Sequence, residues 1–306
     1  MVAGPAVRAT TEVAFGEHGG HRDQQSLRVL RVGDGLRGSP AQRAPVVPRR
    51  IVSLVPALTE MLFAIGAGAQ VVGVSSYDAF PPEVKKLPRV GALLDPDTER
   101  ILALRPDLVI TYGSQSNAEA QFARAGIRTY SYRHGGIATI LESLRELAGL
   151  TGRRADGDRI ASDLQARFDA VRIRVRGRPR PRTVLVFEHD SGTLRSMFVS
   201  GGIGFLHDML EIAGGEDVFA DVKRESVQPS VETLISRAPD VIVEIRANPP
   251  PNIDAERRAW LTLTTVPAVR NGRVHFLSGE YLVVPGPRVA QGVEAFARAL
   301  HPAAFR

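Results

Sequence analysis

Aromatic and ionisable side chains follow the ends of five predicted strands. In the first half of the chain, Tyr77 comes after "VVGVSS" and Tyr112 after "DLVIT". In the second half, His189 comes after "TVLVFE", Arg246 after "DVIVEI" and Tyr281 after "RVHFLSGE". Ligands of open α/β sheets bind beyond the carboxyl ends of the strands. Aromatic faces beside a few polar groups suit a large, flat, partly apolar ligand, so we predict that these residues contact one.

The histidines and the single tryptophan have structural alternatives. One histidine after a strand is more often a surface or capping residue than a ligand, and this alternative stays open for His189 and for His134. We expect His207, within a predicted helix, to be structural and Trp260 to pack under the last strand.

Two acidic residues recur in a repeated segment. "PDTERILALRPDLVI" (96–110) and "PSVETLISRAPDVIV" (229–243) align without a gap. They share Pro96/Pro229, Glu99/Glu232, Pro106/Pro239 and Asp107/Asp240. Proline ends the helix, aspartate caps the turn and valine or isoleucine builds a buried strand. A glutamate in the first helical turn gains ~0.3–1 kcal/mol from the helix dipole. A local role thus explains part of the coincidence, and a function repeated in both halves is the alternative.

Catalytic and metal-binding patterns are missing from the sequence. The chain has no cysteine, which excludes thiolate metal sites and a cysteine nucleophile. There is no P-loop or nucleophile elbow, and the adjacent Glu188, His189 and Asp190 would point to different sides instead of converging as a triad. The plausible histidines are too few for a bare zinc or manganese site. We therefore predict no enzyme, no resident metal and no cofactor of the protein's own.

Composition describes an ordinary globular chain of 306 residues with a basic start. The first 50 residues hold eight arginines and four acidic residues, a net +4 of the total +6. The remaining chain carries mixed charges, so we expect no nucleic-acid binding. No run reaches the ~18–20 apolar residues of a membrane span, and no signal peptide is recognisable. Residues 1–48 are typical of a disordered basic tail or a misplaced translation start.

The remainder alternates predicted strands and helices, which indicates an α/β fold with mostly parallel sheets. Apolar residues at Ile160, Leu164, Phe168, Val171 and Val175 predict one long helix over 153–178, stopped by "GRPRPR". The strand–helix pattern then restarts with similar motifs. We predict two similar lobes, 49–152 and 179–306, joined by that rigid helix.

At this point the sequence resembles a known family. "RRIVSLVPALTEMLFAIGAGAQVVGVSSYDAFPPEVKKLPRVGALLDPDTERILALRPDLVI", "GGEDVFADV" and "VPGPRVAQGVEAFARALHP" are similar to substrate-binding proteins of ABC importers for iron chelates, haem and cobalamin. The resemblance covers 49–306 and implies a class III periplasmic-binding-protein fold with ligand in the cleft between the lobes. It also implies that Glu99 and Glu232 dock onto a permease and that Tyr77 contacts the ligand. Pro56 and Leu93 complete the expected ligand contacts.

The resemblance implies a monomer outside the cytoplasm that delivers a metal chelate to an ABC permease dimer with its ATPase subunits, meeting the membrane only through the permease. Cobalamin or a related corrinoid is slightly favoured over haem and ferric siderophores. Two departures from cobalamin binders matter: Leu93 and Leu94 replace an expected tryptophan, and "GEYLVVPGPR" lacks their acid–arginine pair. A cytoplasmic chelate carrier or sensor is the alternative, and an enzyme is the less favoured one.

Overall fold

A parallel four-stranded sheet forms the first lobe. The computed structural model describes residues 47–306, so nearly all of the predicted tail 1–48 lies outside the described residues. The strands are β1 (Ile51–Ser53), β2 (Val71–Val74), β3 (Leu108–Tyr112) and β4 (Arg128–Tyr132), in the spatial order β2-β1-β3-β4. The helices are α1 (Pro56–Ala64), α2 (Thr98–Ala103), α3 (Ser116–Arg124) and α4 (Ile137–Leu150). Because β1 and β3 are covered on both faces, they are almost entirely buried, and their sequences are continuous apolar runs.

One long helix, α5 (Arg154–Val175), connects the lobes. Its 22 residues give a length of about 33 Å at 1.5 Å per residue. It packs against α4 of the first lobe and against helices of the second lobe. Gly157 makes the α4 contact possible, because a Cβ at this position would clash with Ala148. The predicted apolar stripe faces inward, with Ile160 only half-buried at its edge.

The second lobe contains a mixed sheet. Its strands are β5 (Arg182–Glu188), β6 (Phe198–Ser200), β7 (Glu216–Asp217), β8 (Ser226–Val227), β9 (Val241–Arg246) and β10 (Val274–Ser278). Its helices are α6 (Phe205–Ile212), α7 (Val231–Arg237), α8 (Ile253–Leu261), α9 (Pro267–Arg270) and α10 (Val289–Leu300). β5, β7, β9 and β10 pair in parallel, whereas β6 pairs antiparallel with β5 on one side and with β8 on the other. The segment between β5 and β6 holds no crossover helix, so the chain returns antiparallel.

Both lobes contribute to one continuous apolar core. It contains Leu58 and Leu144 from the first lobe, Phe168 from α5, and Leu210 and Phe296 from the second lobe. Separating the lobes by a large angle would expose this shared core, which favours small relative movements. In the part of the chain that the structure describes, no helix has the length and apolar composition to span a bilayer.

The repeated segment forms the same structure in each lobe. Asp107 accepts hydrogen bonds from the backbone nitrogens of Arg49 and Arg50 at 2.8 and 3.0 Å, just ahead of β1. Asp240 accepts one from the backbone nitrogen of Arg182 at 3.2 Å, at the start of β5. The repeated aspartate therefore ties the strand that follows it to the first strand of its own lobe, beyond the local turn-capping role expected from sequence.

The helix before each repeated Pro-Asp pair also ends in the same way. Arg105 and Ala238 both have a left-handed backbone, with φ of 47° and 45°. The side chains of Arg50 and Arg182 donate hydrogen bonds to the last carbonyls of these helices, at Leu104 and Arg237. Proline, aspartate and the turn are thus explained by folding alone, whereas the helix dipole explains the two glutamates only in part.

Candidate ligand-binding site

The carboxyl ends of the strands in the first lobe present two of the predicted tyrosines. Tyr77, in the loop after β2, is 65% exposed. Tyr112 ends β3, is half-buried, and meets Tyr132 edge to face with ring centroids 6.1 Å apart. Burial raises the pKa of Tyr112 to about 12, so its phenol stays protonated at neutral pH. Tyr77 is therefore available to a large ligand, and Tyr112 offers a neutral hydroxyl at the end of β3 in the same sheet.

A buried carboxyl next to Tyr77 was not anticipated from the sequence. Asp78 is 3% exposed, and neither of its carboxyl oxygens receives a hydrogen bond of normal geometry from the described residues, although nearby Thr59 and the backbone of Ser75 partly offset the effect of burial on its pKa. Burial raises the pKa of Asp78 to about 7, with nearby Glu60 adding to the rise. The alternation of apolar and polar residues is lost in the loop "YDAFPPE", so no sequence pattern marks Asp78 as buried.

A salt bridge crosses between the lobes beside this loop. Arg288, just before α10, donates to the two carboxylate oxygens of Glu60 on α1 at 2.8 and 2.5 Å. Its guanidinium also lies 3.9 Å from the ring centroid of Phe80 and 3.4 Å from Glu280. Arg288 and Glu280 therefore form an acid–arginine pair within the second lobe. The closer partner of Arg288, however, is Glu60 in the first lobe. A signal was available: Glu60 lies among the apolar residues of "ALTEMLF", where a glutamate needs a partner.

Further polar contacts join the lobes at His134 and at the start of α4. His134 Nε2 lies 3.4 Å from Glu225 of the second lobe, and its ring meets Phe205 edge to face. Burial lowers the pKa of His134 to about 4, so the ring is neutral at physiological pH. Asp208 of α6 accepts a hydrogen bond from the backbone nitrogen of Ile137 at 2.8 Å. These contacts add to the Arg288 bridge between the two lobes.

In the second lobe His189 lies behind Arg246. The His189 side chain is fully buried, and its Nε2 is 3.0 Å from Glu244 Oε2. Arg246 is 23% exposed and donates from Nε to Glu244 Oε1 at 2.7 Å. A ligand in the cleft could touch Arg246 directly, whereas it could reach His189 only after this network had opened. Trp260 is buried, as predicted, and donates to Glu244 at 2.8 Å.

The other predicted contacts vary in accessibility. Pro56 is the first residue of α1 and is half-buried. Leu93 is half-buried, and its carbonyl accepts a hydrogen bond from Gln115 at 3.0 Å. The neighbouring Leu94, for which the sequence predicted no contact, is 77% exposed. Tyr281 lies half-buried in the short turn Glu280–Leu282.

The two predicted docking acids occupy equivalent exposed positions. Glu99 is the second residue of α2, and Glu232 is the second residue of α7. Each helix begins with a capping side chain, from Asp97 in one lobe and from Ser230 in the other. Both glutamates are exposed, and each lobe therefore presents one carboxylate at a helix N-terminus immediately before a central strand.

The sequence and fold match a family of transport receptors. A vitamin B12-binding protein of Yersinia pestis (strain Pestoides F) is 32% identical over 232 residues, covering 75% of this chain and 79% of that protein. The crystal structure of the periplasmic vitamin B12-binding protein BtuF of Vibrio cholerae superposes with a TM-score of 0.70 at 25% identity, covering 85% of this chain and 98% of that chain.

A heme-binding protein has a similar fold. The periplasmic heme-binding protein RhuT from Roseiflexus sp. RS-1, in its apo form, superposes with a TM-score of 0.70 at 28% identity, covering 84% of this chain and 99% of that one. Residues 51–281 match the family described as "Periplasmic binding protein". This match takes in both lobes and the helix between them, so the chain belongs to the periplasmic binding protein family, as a substrate-binding protein of the ABC importer type.

Proposed function

We propose that this protein captures a metal chelate between its two lobes, with cobalamin or a related corrinoid favoured over haem and ferric siderophores. The observation that carries the proposal is the exposed ring of Tyr77 at the carboxyl end of the first-lobe sheet, in the same loop as Phe80, whose ring contacts the Arg288 that bridges the lobes. An exposed aromatic face in a loop that also contacts the second lobe suits a large, flat ligand held between the lobes. The similar proteins named for vitamin B12 support the corrinoid, and those named for haem support the runner-up.

The ligand's metal would arrive with the chelate. The expectation of no cofactor and no resident metal stays a proposal, as does the absence of catalysis. Tyr112 is neutral at physiological pH, so it would act toward a bound chelate as a hydrogen-bonding phenol. The exposed Leu94 would replace the aromatic contact expected at Leu93 with an aliphatic one.

Delivery would proceed by docking on an ABC permease dimer with its ATPase subunits. Glu99 and Glu232, one on each lobe, would pair with basic residues on the two permease subunits. Exposed ion pairs contribute only ~0.2–1 kcal/mol each, so these acids would orient the complex and speed encounter. We place the protein outside the cytoplasm as a monomer, in keeping with similar proteins named as periplasmic or as a substrate-binding lipoprotein.

A titration followed by visible absorbance tests the proposal. Hydroxocobalamin, haemin and a ferric siderophore are each added to the purified chain, and a band shift that saturates at one equivalent identifies the chelate class. Tyr77→Phe, which keeps the ring, is the matched control for Tyr77→Ala. Absence of saturable binding by all three would refute the proposal, and chemical turnover of a chelate would favour an enzyme. Finding the mature N-terminus in the native host separates export from a cytoplasmic carrier or sensor.

A further inference from the structure

A buried cluster of charged side chains lies under the carboxyl ends of β5 and β9. The His189 ring is held between two glutamates, with Nε2 3.0 Å from Glu244 Oε2 and Nδ1 3.8 Å from Glu256 Oε2. These three side chains are 0–1% exposed. Arg246 lies against all of them and is 23% exposed, so it forms the contact between this cluster and solvent.

The hydrogen-bond geometry assigns a proton to each nitrogen of the His189 ring. Nδ1 lies 3.1 Å from the carbonyl oxygen of Asp190, and Nε2 lies 3.0 Å from Glu244. The nearest neighbour of each ring nitrogen is thus an acceptor, while a donor, Nη2 of Arg246, lies farther from Nε2 at 3.2 Å. An unprotonated nitrogen would direct its lone pair at the lone pair of its nearest oxygen. Burial and the Arg246 guanidinium, 3.2 Å from Nε2, both oppose protonation. The hydrogen bond to Glu244 and its charge outweigh them and raise the pKa of His189.

Charge balance leads to the same state. With an imidazolium, the cluster holds two carboxylates and two cations, a net charge of zero. With a neutral imidazole it would hold a buried net charge of −1, which is unfavourable and would repel an anion approaching Arg246. Histidine and glutamate also bind metals, but Arg246 already contacts both carboxylates, at 2.7 Å to Glu244 and 3.7 Å to Glu256. A proton on His189 therefore supplies the missing positive charge without displacing the guanidinium.

We propose that His189 is a positioning residue that holds Arg246 at the carboxyl-end edge of the second-lobe sheet, where the outer face of the guanidinium binds a carboxylate or phosphodiester group of the chelate. The claim that Arg246 binds an anionic group of the chelate rests on the proposed function. The claim that His189 positions Arg246 rests on the contacts seen in the ligand-free structure. His189 then acts on the ligand through Arg246, since its own side chain has no exposed surface.

The first measurement needs no ligand. Long-range ¹H–¹⁵N NMR of the imidazole rings, with His189→Gln for assignment, reads the protonation of both ring nitrogens. We expect the His189 signals of an imidazolium at pH 7.5, unchanged down to pH 5.5, while surface histidines titrate. A neutral His189 ring at pH 7.5 would overturn the inference whether or not any chelate binds.

The second measurement compares matched probes with and without an anionic group. Haemin carries two carboxylates and its dimethyl ester none, whereas cyanocobalamin carries a phosphodiester that dicyanocobinamide lacks. His189→Gln keeps a donor toward Glu244 but removes the charge. One of the two probe pairs will bind the wild type. Within that pair, we expect His189→Gln to weaken binding of the probe that carries the anion about tenfold, as the loss of one unit charge several ångströms away would. The member without the anion should bind unchanged.

Charge restoration distinguishes this role from packing. The double variant His189→Gln/Glu256→Gln returns the cluster to zero net charge, so affinity for the anionic probe should recover to within about twofold of wild type. Arg246→Gln should abolish the preference for the anionic probe in every background. Equal losses for both members of a pair, or no recovery in the double variant, would overturn the inference. If no probe binds the wild type, the proposed function fails, while NMR still decides the state of His189.

Discussion

Replacing Asp78 with asparagine should change the pH dependence of stability. The Asp78 carboxyl is buried without a hydrogen bond of normal geometry, and burial raises its pKa from the ordinary 3.8 to about 7 in spite of nearby Thr59 and Arg89. The folded protein therefore holds a proton at Asp78 that the unfolded chain has released. Stability contributed by this proton is lost as the pH rises from about 4 through 7, and no further loss occurs above that range.

The magnitude follows from the two pKa values. At about 1.4 kcal/mol per pKa unit, the interval from 3.8 to about 7 corresponds to about 4 kcal/mol in total. Between pH 5 and pH 8.5 the wild type should lose about 3 kcal/mol that Asp78→Asn keeps. The asparagine amide and the protonated carboxyl are neutral and similar in size, so the ~1–3 kcal/mol cost of burying an imperfectly bonded polar group is similar in the two proteins at low pH.

Urea unfolding followed by far-UV circular dichroism measures the effect. The free energy of unfolding is determined for the wild type and for Asp78→Asn at pH 5 and at pH 8.5. Asp95→Asn, the same substitution at an exposed carboxylate of the same lobe, serves as the control and should lose as much stability between pH 5 and pH 8.5 as the wild type does, because it keeps Asp78. A difference between Asp78→Asn and the wild type that stays constant from pH 5 to 8.5 would show that the carboxyl is solvated or paired, and the reasoning from burial would be refuted.

Three other changes test the docking acids, the inter-lobe bridge and the aromatic contact. Reversing Glu99 and Glu232 to lysine should abolish uptake in cells while leaving chelate affinity unchanged, and a parallel loss of affinity in a binding titration would contradict docking. Arg288→Met should destabilise the fold by about 3–5 kcal/mol in urea unfolding, because it leaves Glu60 buried without its cation. Pairing it with Glu60→Met should recover much of that loss, and failure to recover would mean that Arg288 acts mainly by packing. Tyr77→Ala should weaken binding of the recognised chelate about tenfold, whereas Tyr77→Phe should bind as wild type does; equal affinity for all three would exclude an aromatic contact.

The lobe plan could be predicted because its signals are local. The apolar stripe from Leu164 to Val175 has the period of a helix that packs along one face, and "GRPRPR" forbids its continuation. The repeated Pro-Asp segments mark the same helix-to-strand connection twice, at Asp107 and Asp240. The sequence did not predict the antiparallel pairing of β6 with β5 and β8. The choice between parallel and antiparallel pairing depends on the path of the chain between the strands.

The site was predicted less completely because its members come together only in space. Strand ends pointed to Tyr77 and Arg246, which the structure leaves partly accessible. The same rule pointed to His189, whose neighbours Glu244 and Glu256 bury it. Position along a strand predicts the edge of the sheet at which a residue lies. It does not predict the side chains that cover the residue there.

By itself the amino-acid sequence determined two α/β lobes, the helix between them and one exposed glutamate in each lobe, because these follow from periodicity, turn residues and helix starts within short segments. Only the tertiary structure decided that Arg288 would neutralise Glu60 from 228 residues away and that Asp78 would be buried without a hydrogen bond of normal geometry. The physical reason is that burial and charge pairing depend on distances through space, and short-range sequence patterns carry no measure of those distances.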